Sequence, residues 1–155
     1  MKYYRVGVKT LVDLLYSPQN ILNKNISQKV VEEGNFIHLR LGYVESETFK
    51  RHYRIGDYLI EIVGTPDRIN IEEGCVEELK TYKTERTREI QKERGKLQLM
   101  FYSWLTGLGC AKLILYDTIN NRADTIYYNF SEKEINENLE KAVKKYIELR
   151  ELLSK

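Results

Sequence analysis

The spacing of hydrophobic and polar positions changes along the chain and predicts alternating helices and strands. Near the N-terminus it predicts a short helix over residues 10–16, which ends before Pro18, and a second helix from Ser27 to about residue 43. Residues 48–82 are rich in β-branched and aromatic side chains. This stretch predicts a meander of three strands.

Helical spacing returns in the second half of the chain, over residues 88–108. Gly107 and Gly109 are expected to end this helix, with Gly109 as the left-handed cap. Two more strands are expected over residues 112–117 and 125–129. These strands should extend the sheet that the meander begins.

The last helix has the clearest predicted start, because Ser131 and Glu134 form a capping-box pattern ahead of helically spaced apolar residues.

The elements together predict an α/β fold with a central mixed sheet of about five strands, flanked by helices on both faces. The chain has 155 residues and shows neither repeats nor linkers, so a single domain over residues 1–155 is expected.

Composition narrows the class of protein. Hydrophobic residues make up 42% of the chain and charged residues 31%, which is typical of a globular protein. The sequence has no apolar run of the length that spans a bilayer and no signal-peptide pattern, so a cytoplasmic protein without a membrane partner is expected. In that compartment Cys75 and Cys110 are expected to be buried free thiols.

An acidic cluster with one lysine lies in the predicted meander. Alternation along a strand places Glu78 and Lys80 on one face, and the turn at residues 72–74 would bring Asp67 alongside from the neighbouring strand. Two carboxylates and an ammonium are costly to bury together unless a cation lies between the carboxylates. The pattern therefore predicts a site for a hard metal ion.

Two alternatives remain open for this cluster. It could be purely structural, with Lys80 simply pairing with Asp67 or Glu78. In addition, Glu77 faces the opposite side of the strand unless a bulge shifts the register by one residue. Such a bulge would exchange the assignments of Glu77 and Glu78.

The ligand set suits phosphodiester hydrolysis, in which a bound divalent ion neutralises charge on the phosphoryl oxygens and generates hydroxide near neutral pH. Asp67 and Glu78 offer oxygen ligands for Mg²⁺ or Mn²⁺, and the backbone carbonyl of Leu79 offers another. His38, on the second predicted helix, either completes the metal shell, which would favour Mn²⁺, or is a hydrogen-bonded structural residue. Lys80 would orient or help to deprotonate the attacking water and stabilise negative charge.

A basic segment follows the acidic cluster directly. Residues 80–96 contain seven basic residues against three acidic ones, although the net charge of the whole chain is only +2. A phosphate backbone bound at the metal would pass this segment, and the alternative is a solvated helix start. The residues expected to bind nucleic acid are Lys83, Arg86, Arg88, Lys92, Arg94 and Lys96.

The order of these motifs resembles the RecB-like branch of the PD-(D/E)XK nucleases. The resemblance covers about residues 34–117 and rests on four pieces in the family's order: His38 after Gly34, Gly64-Thr65-Pro66-Asp67, Glu78-Leu79-Lys80, and Gln98 with Tyr102 as a Q-x-x-x-Y helix. It implies a restriction-endonuclease-like fold. It also implies that Gln98 and Tyr102 position the nucleic-acid backbone or hold Lys80 in place.

Within that branch the chain is most similar to the exonucleases of CRISPR adaptation, whose relatives occur in archaeal viruses. The resemblance implies a prokaryotic, archaeal or viral protein whose partner is DNA. Ser17 stands where those proteins carry a cluster-binding cysteine, and neither Cys75 nor Cys110 falls at a ligand position. Because such a cluster requires four thiolates, no iron-sulfur cluster is expected.

The resulting prediction is a divalent-metal-dependent DNA nuclease, an exonuclease on single-stranded or processed DNA ends. The alternatives are a structure-specific endonuclease and a non-catalytic module that binds DNA ends or docks on a protein. The sequence lacks a phosphate-binding loop of the ATPase type, so a helicase or another DNA-processing protein would have to supply any ATP-driven step.

Overall fold

Seven strands and three helices make up the part of the chain that the computed structural model describes, residues 1–16 and 47–154. The helix predicted from Ser27, and with it His38, lies outside the described residues, as does Ser17. In chain order the elements are β1 (Lys2–Gly7), α1 (Val8–Tyr16), β2 (Phe49–Ile55), β3 (Tyr58–Gly64), β4 (Arg68–Asn70), β5 (Cys75–Tyr82), α2 (Glu85–Thr106), β6 (Cys110–Asp117), β7 (Arg122–Tyr128) and α3 (Glu132–Leu153).

The strands form two mixed sheets, with the orders β1-β3-β2 and β4-β5-β6-β7. β1 pairs in parallel with β3, and β5 pairs in parallel with β6, whereas the other neighbours are antiparallel. The predicted α/β class, with mixed sheets flanked by helices, is confirmed. The prediction of one sheet with about five strands is wrong, because the described residues contain seven strands in two sheets.

The chain changes sheets between β3 and β4, where the meander was predicted to continue. Gly64-Thr65-Pro66-Asp67 joins the two strands, and Pro66 has no amide hydrogen with which to extend a ladder. β2 and β3 therefore remain a hairpin in the first sheet, while β4 and β5 form a hairpin in the second. Asp67 is the last residue of this connection before β4.

Helix α2 packs against both sheets, and its ends differ from the prediction. It starts earlier than residue 88, because the side chain of Thr84 caps it by accepting a hydrogen bond from the amide of Thr87. It ends at Gly107, whose φ of 77° is the left-handed conformation predicted for Gly109. Helix α3 begins as predicted, with the side chain of Ser131 accepting a hydrogen bond from the amide of Glu134.

Cys75 and Cys110 form a disulfide, so the prediction of free thiols is wrong. The two residues begin β5 and β6 and are direct partners in the parallel ladder, with their Cα atoms 4.5 Å apart. Their separation of 35 residues in sequence gives no local sign of this pairing. Among the described helices, none is both long enough and apolar enough to cross a membrane.

Candidate active site

Asp67 lies in the bend before β4 rather than within a strand. Its Oδ2 accepts a hydrogen bond of 2.7 Å from the backbone amide of Leu79 in β5. This bond holds the Asp67 carboxylate against the strand that carries Glu78 and Lys80. The connection between the two sheets thus brings Asp67 next to the strand of Glu78, although Asp67 itself belongs to no strand.

Glu78 and Lys80 lie on the same side of β5, as alternation predicts. Nζ of Lys80 is 3.2 Å from Oε2 of Glu78. Glu78 is only 3% exposed, and its other oxygen, Oε1, is buried without a hydrogen-bond partner among the described residues. A buried carboxylate oxygen without a partner is costly, so the site has an unmet need for a positive charge or a donor.

The pKa of Glu78 shows the same need. Burial raises the pKa of this carboxyl to about 7, and the nearby charge of Asp67 raises it as well, whereas Lys80 acts in the opposite direction. The lysine therefore compensates only part of the cost of ionising Glu78. A divalent cation at the carboxylates would supply the missing compensation.

Gln98 and Tyr102 approach the carboxylates from α2. They lie one helical turn apart, and both are buried. Burial raises the pKa of Tyr102, the Glu78 charge raises it further, and a hydrogen bond with Gln98 acts in the opposite direction. The structure thus brings together Asp67, Glu78, Lys80, Gln98 and Tyr102.

Two glycines allow this approach, and the sequence reasoning missed both roles. A Cβ on Gly64, at the end of β3, would lie 2.8 Å from Cε1 of Tyr102 and 3.0 Å from Cδ1 of Leu105. A Cβ on Gly95 would lie 2.6 Å from Cδ1 of Leu113 and 3.3 Å from Cγ of Lys80. For Gly95 the signal was present in the sequence, because a glycine inside a helix costs about 1 kcal/mol relative to alanine and so indicates a close approach.

Glu77 lies on the opposite side of β5 and is fully buried. Its Oε2 accepts a hydrogen bond of 2.9 Å from Nε of Arg68 and forms an ion pair of 2.8 Å with Nη2 of the same guanidinium, and its Oε1 accepts a hydrogen bond of 2.9 Å from Asn70. Arg68 and Asn70 belong to β4, and Nζ of Lys112 in β6 lies 3.5 Å from Oε1 of Glu77. Glu77 therefore fastens β4 to β5, and Glu78, not Glu77, lies beside Asp67 and Lys80.

Several cations of the predicted basic segment are engaged within the protein. Arg94 pairs with Asp13 of α1, and Arg88 pairs with Asp124 of β7. Nζ of Lys96 lies 5.8 Å from the ring centroid of Tyr128. Among the other members, Lys83 and Arg86 are exposed and Lys92 is partly exposed. Contact between this segment and nucleic acid remains a prediction.

The described residues fit a divalent cation but do not provide a complete ligand shell. Asp67 and Glu78 are oxygen ligands of the type that Mg²⁺ and Mn²⁺ prefer, and Oε1 of Glu78 has no other described partner. Within residues 1–16 and 47–154, no group of three histidine, cysteine or acidic side chains is placed to hold a metal. The predicted third side chain, His38, lies outside the described residues.

The sequence model of the PD-(D/E)XK nuclease superfamily matches residues 19–154. The chain therefore belongs to the PD-(D/E)XK nuclease superfamily, as the order of the motifs predicted.

Solved structures show the same fold. SSO0001 is similar with a TM-score of 0.67 at 19% identity, over 90% of this chain and 75% of SSO0001. The alkaline exonuclease LHK-Exo from Laribacter hongkongensis is similar with a TM-score of 0.59 at 14% identity, over 97% of this chain and 90% of the exonuclease. No curated protein matches the sequence significantly.

Proposed function

We propose that this protein is a divalent-metal-dependent nuclease that hydrolyses phosphodiester bonds in DNA, as an exonuclease on single-stranded or processed ends. The observation that carries the proposal is the buried carboxylate of Glu78, which has one oxygen without a described partner and lies beside Asp67 and Lys80. In a member of a nuclease superfamily, cation binding is the use that best accounts for such a costly pair of acids.

Asp67 and Glu78 would hold Mg²⁺ or Mn²⁺, with the Leu79 carbonyl and His38 as further proposed ligands. A bound divalent ion neutralises charge on phosphoryl oxygens and lowers the pKa of bound water. The hydrogen bond from the Leu79 amide holds the Asp67 carboxylate against β5, the strand that carries Glu78. An imidazole ligand would shift the preference towards Mn²⁺.

Lys80 would act on the attacking water and on the charge that develops at the phosphate. Its ammonium lies 3.2 Å from Glu78, and its side-chain stem lies beside Gly95, so its position is restricted from two sides. A prepositioned cation stabilises developing negative charge without reorganising. Gln98 and Tyr102 would position the nucleic-acid backbone or hold Lys80 in place.

The proposed preference for DNA ends is supported by the similarity of this fold to that of a known exonuclease, and not by the geometry of the site. LHK-Exo, which shares the fold, is an alkaline exonuclease. Lys83, Arg86 and Lys92 are the members of the basic segment that we propose to bind flanking phosphates. A helicase or another DNA-processing protein remains a proposed partner.

The test is an incubation of purified protein with labelled linear and circular DNA, single- and double-stranded, in Mn²⁺, Mg²⁺ or EDTA. We expect cleavage of linear substrates in either metal and none in EDTA. Asp67→Asn, which keeps an acceptor for the Leu79 amide, and Lys80→Met, which keeps the stem beside Gly95, should each lower the rate at least about 100-fold.

Matched controls are Asp57→Asn and Lys133→Met, which alter a carboxylate and an ammonium that are 80% and 85% exposed. Both should cleave at the wild-type rate. Equal activity of the site variants and wild type would refute the assignment, and absence of cleavage in every metal would refute the proposed nuclease. Cleavage of circular substrates would instead indicate an endonuclease.

A further inference from the structure

The β1-β3-β2 sheet has one face in the core and one face turned outward. Ile60 and Ile62 of β3 are fully buried on the inner side. Because side chains alternate along a strand, the residues between them belong to the outer side. The outer side carries the set that we call the basic face: Arg5, Lys50, His52 and Arg54, with Tyr3 and Glu61.

The ladder register brings these residues together from three distant parts of the sequence. Arg5 of β1 and His52 of β2 both lie directly opposite Glu61 of β3, so the three form one row across the sheet. Lys50 is opposite Val63 in the next row, towards the end of β3. Neighbouring rows on the same face of a sheet lie about 7 Å apart, so the charges form one patch.

The basic face carries an excess of positive charge. Arg5, Lys50 and Arg54 are exposed, and within the described part of the chain none of them forms an ion pair. Glu61 is the carboxylate within the set, and it already accepts a hydrogen bond from the hydroxyl of Tyr3. That bond lowers the pKa of Glu61, as do the charges of Arg5, Lys50 and His52, so Glu61 is ionised at neutral pH and the face remains net positive.

These cations differ from those of the basic segment in α2. Arg88 and Arg94 of α2 each have an acidic partner, Asp124 and Asp13 respectively, which offsets their charge. On the basic face one carboxylate, that of Glu61, stands against the three cations Arg5, Lys50 and Arg54, so the face keeps a net attraction for phosphate. By this measure the basic face is better suited to phosphate than the paired positions of α2.

The basic face also leads towards the candidate active site. β3 passes from Glu61 to Gly64 and reaches Asp67 three residues later. A hydrogen bond of 2.8 Å between the hydroxyls of Thr48 and Thr65 ties the start of β2 to this connection. From Lys50 to Arg54 the strand extends about 14 Å, which corresponds to about four nucleotides at 3.4 Å each along one strand of a duplex.

We propose that the basic face binds the phosphate backbone of the DNA strand that is cleaved at Asp67, Glu78 and Lys80. The inference rests on the proposed nuclease function and adds a second backbone contact, on the first sheet. Lys50 and Arg54 contact two phosphates, about 14 Å apart, on the strand as it leaves the site. The neighbouring rings of Tyr3 and His52, whose centroids are 6.1 Å apart, offer a surface on which a base can stack.

The test measures binding without cleavage, by fluorescence anisotropy of a labelled single-stranded oligonucleotide in EDTA over a series of salt concentrations. The double variant Lys50→Ala/Arg54→Ala removes two cations of the basic face. Because each phosphate contact contributes about 0.7 to the slope of log K against log salt for a single strand, the slope should fall by about 1.4. The control Lys133→Ala/Lys141→Ala removes two exposed cations from α3 and should leave the slope unchanged.

A second variant separates charge from local structure. Lys50→Arg/Arg54→Lys retains both charges and should retain the wild-type slope. The proposal is overturned if Lys50→Ala/Arg54→Ala keeps the wild-type slope, which would leave the face available to an acidic protein. It is also overturned if the charge-retaining variant loses as much slope as the alanine variant.

Cleavage assays of the same proteins in Mn²⁺ distinguish the two proposals. If wild type cleaves DNA and the alanine variant binds with an unchanged slope, the proposal that the basic face binds DNA is wrong and the proposed nuclease function stands. If no protein cleaves DNA but the slope of the alanine variant falls as predicted, the basic face does bind DNA and the proposed nuclease function is wrong. These outcomes differ in separate measurements, so neither failure can be mistaken for the other.

Discussion

Glu78→Gln should stabilise the metal-free protein above neutral pH while abolishing cleavage. The substitution keeps the size of the side chain and removes its charge. In wild type this charge lies in a site where Glu78 is 3% exposed and its Oε1 has no partner among the described residues. The fold therefore bears a cost for the ionised form that a metal ion would offset.

The magnitude follows from the pKa of Glu78. Folding raises it from an ordinary value of 4.5 to about 7, so the folded protein binds the proton more tightly than the unfolded chain. The associated stability is fully present below pH 4.5 and is lost as the pH rises to about 7. At about 1.4 kcal/mol per pKa unit, the loss amounts to about 3 kcal/mol, and glutamine does not undergo it.

The assay is reversible unfolding by urea of the metal-free, oxidised proteins between about pH 4 and pH 8. The free energy of unfolding of Glu78→Gln, relative to wild type, should rise by about 3 kcal/mol over this interval. Added Mn²⁺ at the upper pH should stabilise wild type and not the variant. A difference that does not change with pH would show that ionised Glu78 does not destabilise the fold, and equal stabilisation of both proteins by Mn²⁺ would show that Glu78 does not bind the ion.

Three further predictions concern the frame of the site. Gly64→Ala should destabilise the fold by about 1–3 kcal/mol and slow cleavage, because its Cβ would lie 2.8 Å from the Tyr102 ring. The control Gly109→Ala has open space around the new Cβ and should do neither. Unchanged urea unfolding and an unchanged cleavage rate of Gly64→Ala would contradict this prediction. Glu77→Gln should lower the free energy of unfolding by about 1.5–3 kcal/mol, because it weakens the charge-assisted bonds that fasten β4, and a loss below about 0.5 kcal/mol would speak against that role. Reduction of the disulfide between Cys75 and Cys110 should cost about 3–4 kcal/mol, as expected for a loop of this length, and identical unfolding curves with and without reductant would be inconsistent with the bond.

Local sequence patterns predicted the features that depend on near neighbours in the chain. Alternation along one strand placed Glu78 and Lys80 on a common side, and a short turn predicted the hairpin that joins β4 to β5. The cap at Ser131 was likewise a matter of residues three apart. The nearness of Asp67 to β5 was expected from the short hairpin connection, but its position in the bend before β4, rather than within a strand, was not.

Features that depend on distant pairings could not be predicted in this way. The disulfide requires that β5 and β6 be parallel and in register at Cys75 and Cys110, which no local pattern specifies. The basic face requires that β1 pair with β3, so that Arg5 lies opposite Glu61. The division into two sheets was missed because the apolar pattern of β3 and β5 is similar, and only Pro66 marks the change.

We propose above that Asp67 and Glu78 hold a catalytic divalent cation. The most direct test is titration of the metal-free protein with Mn²⁺, with the free ion measured by electron paramagnetic resonance. We predict that wild type and Asp57→Asn bind Mn²⁺ equally, and that Asp67→Asn binds it at least about tenfold more weakly. Unchanged Mn²⁺ affinity in Asp67→Asn would contradict the account.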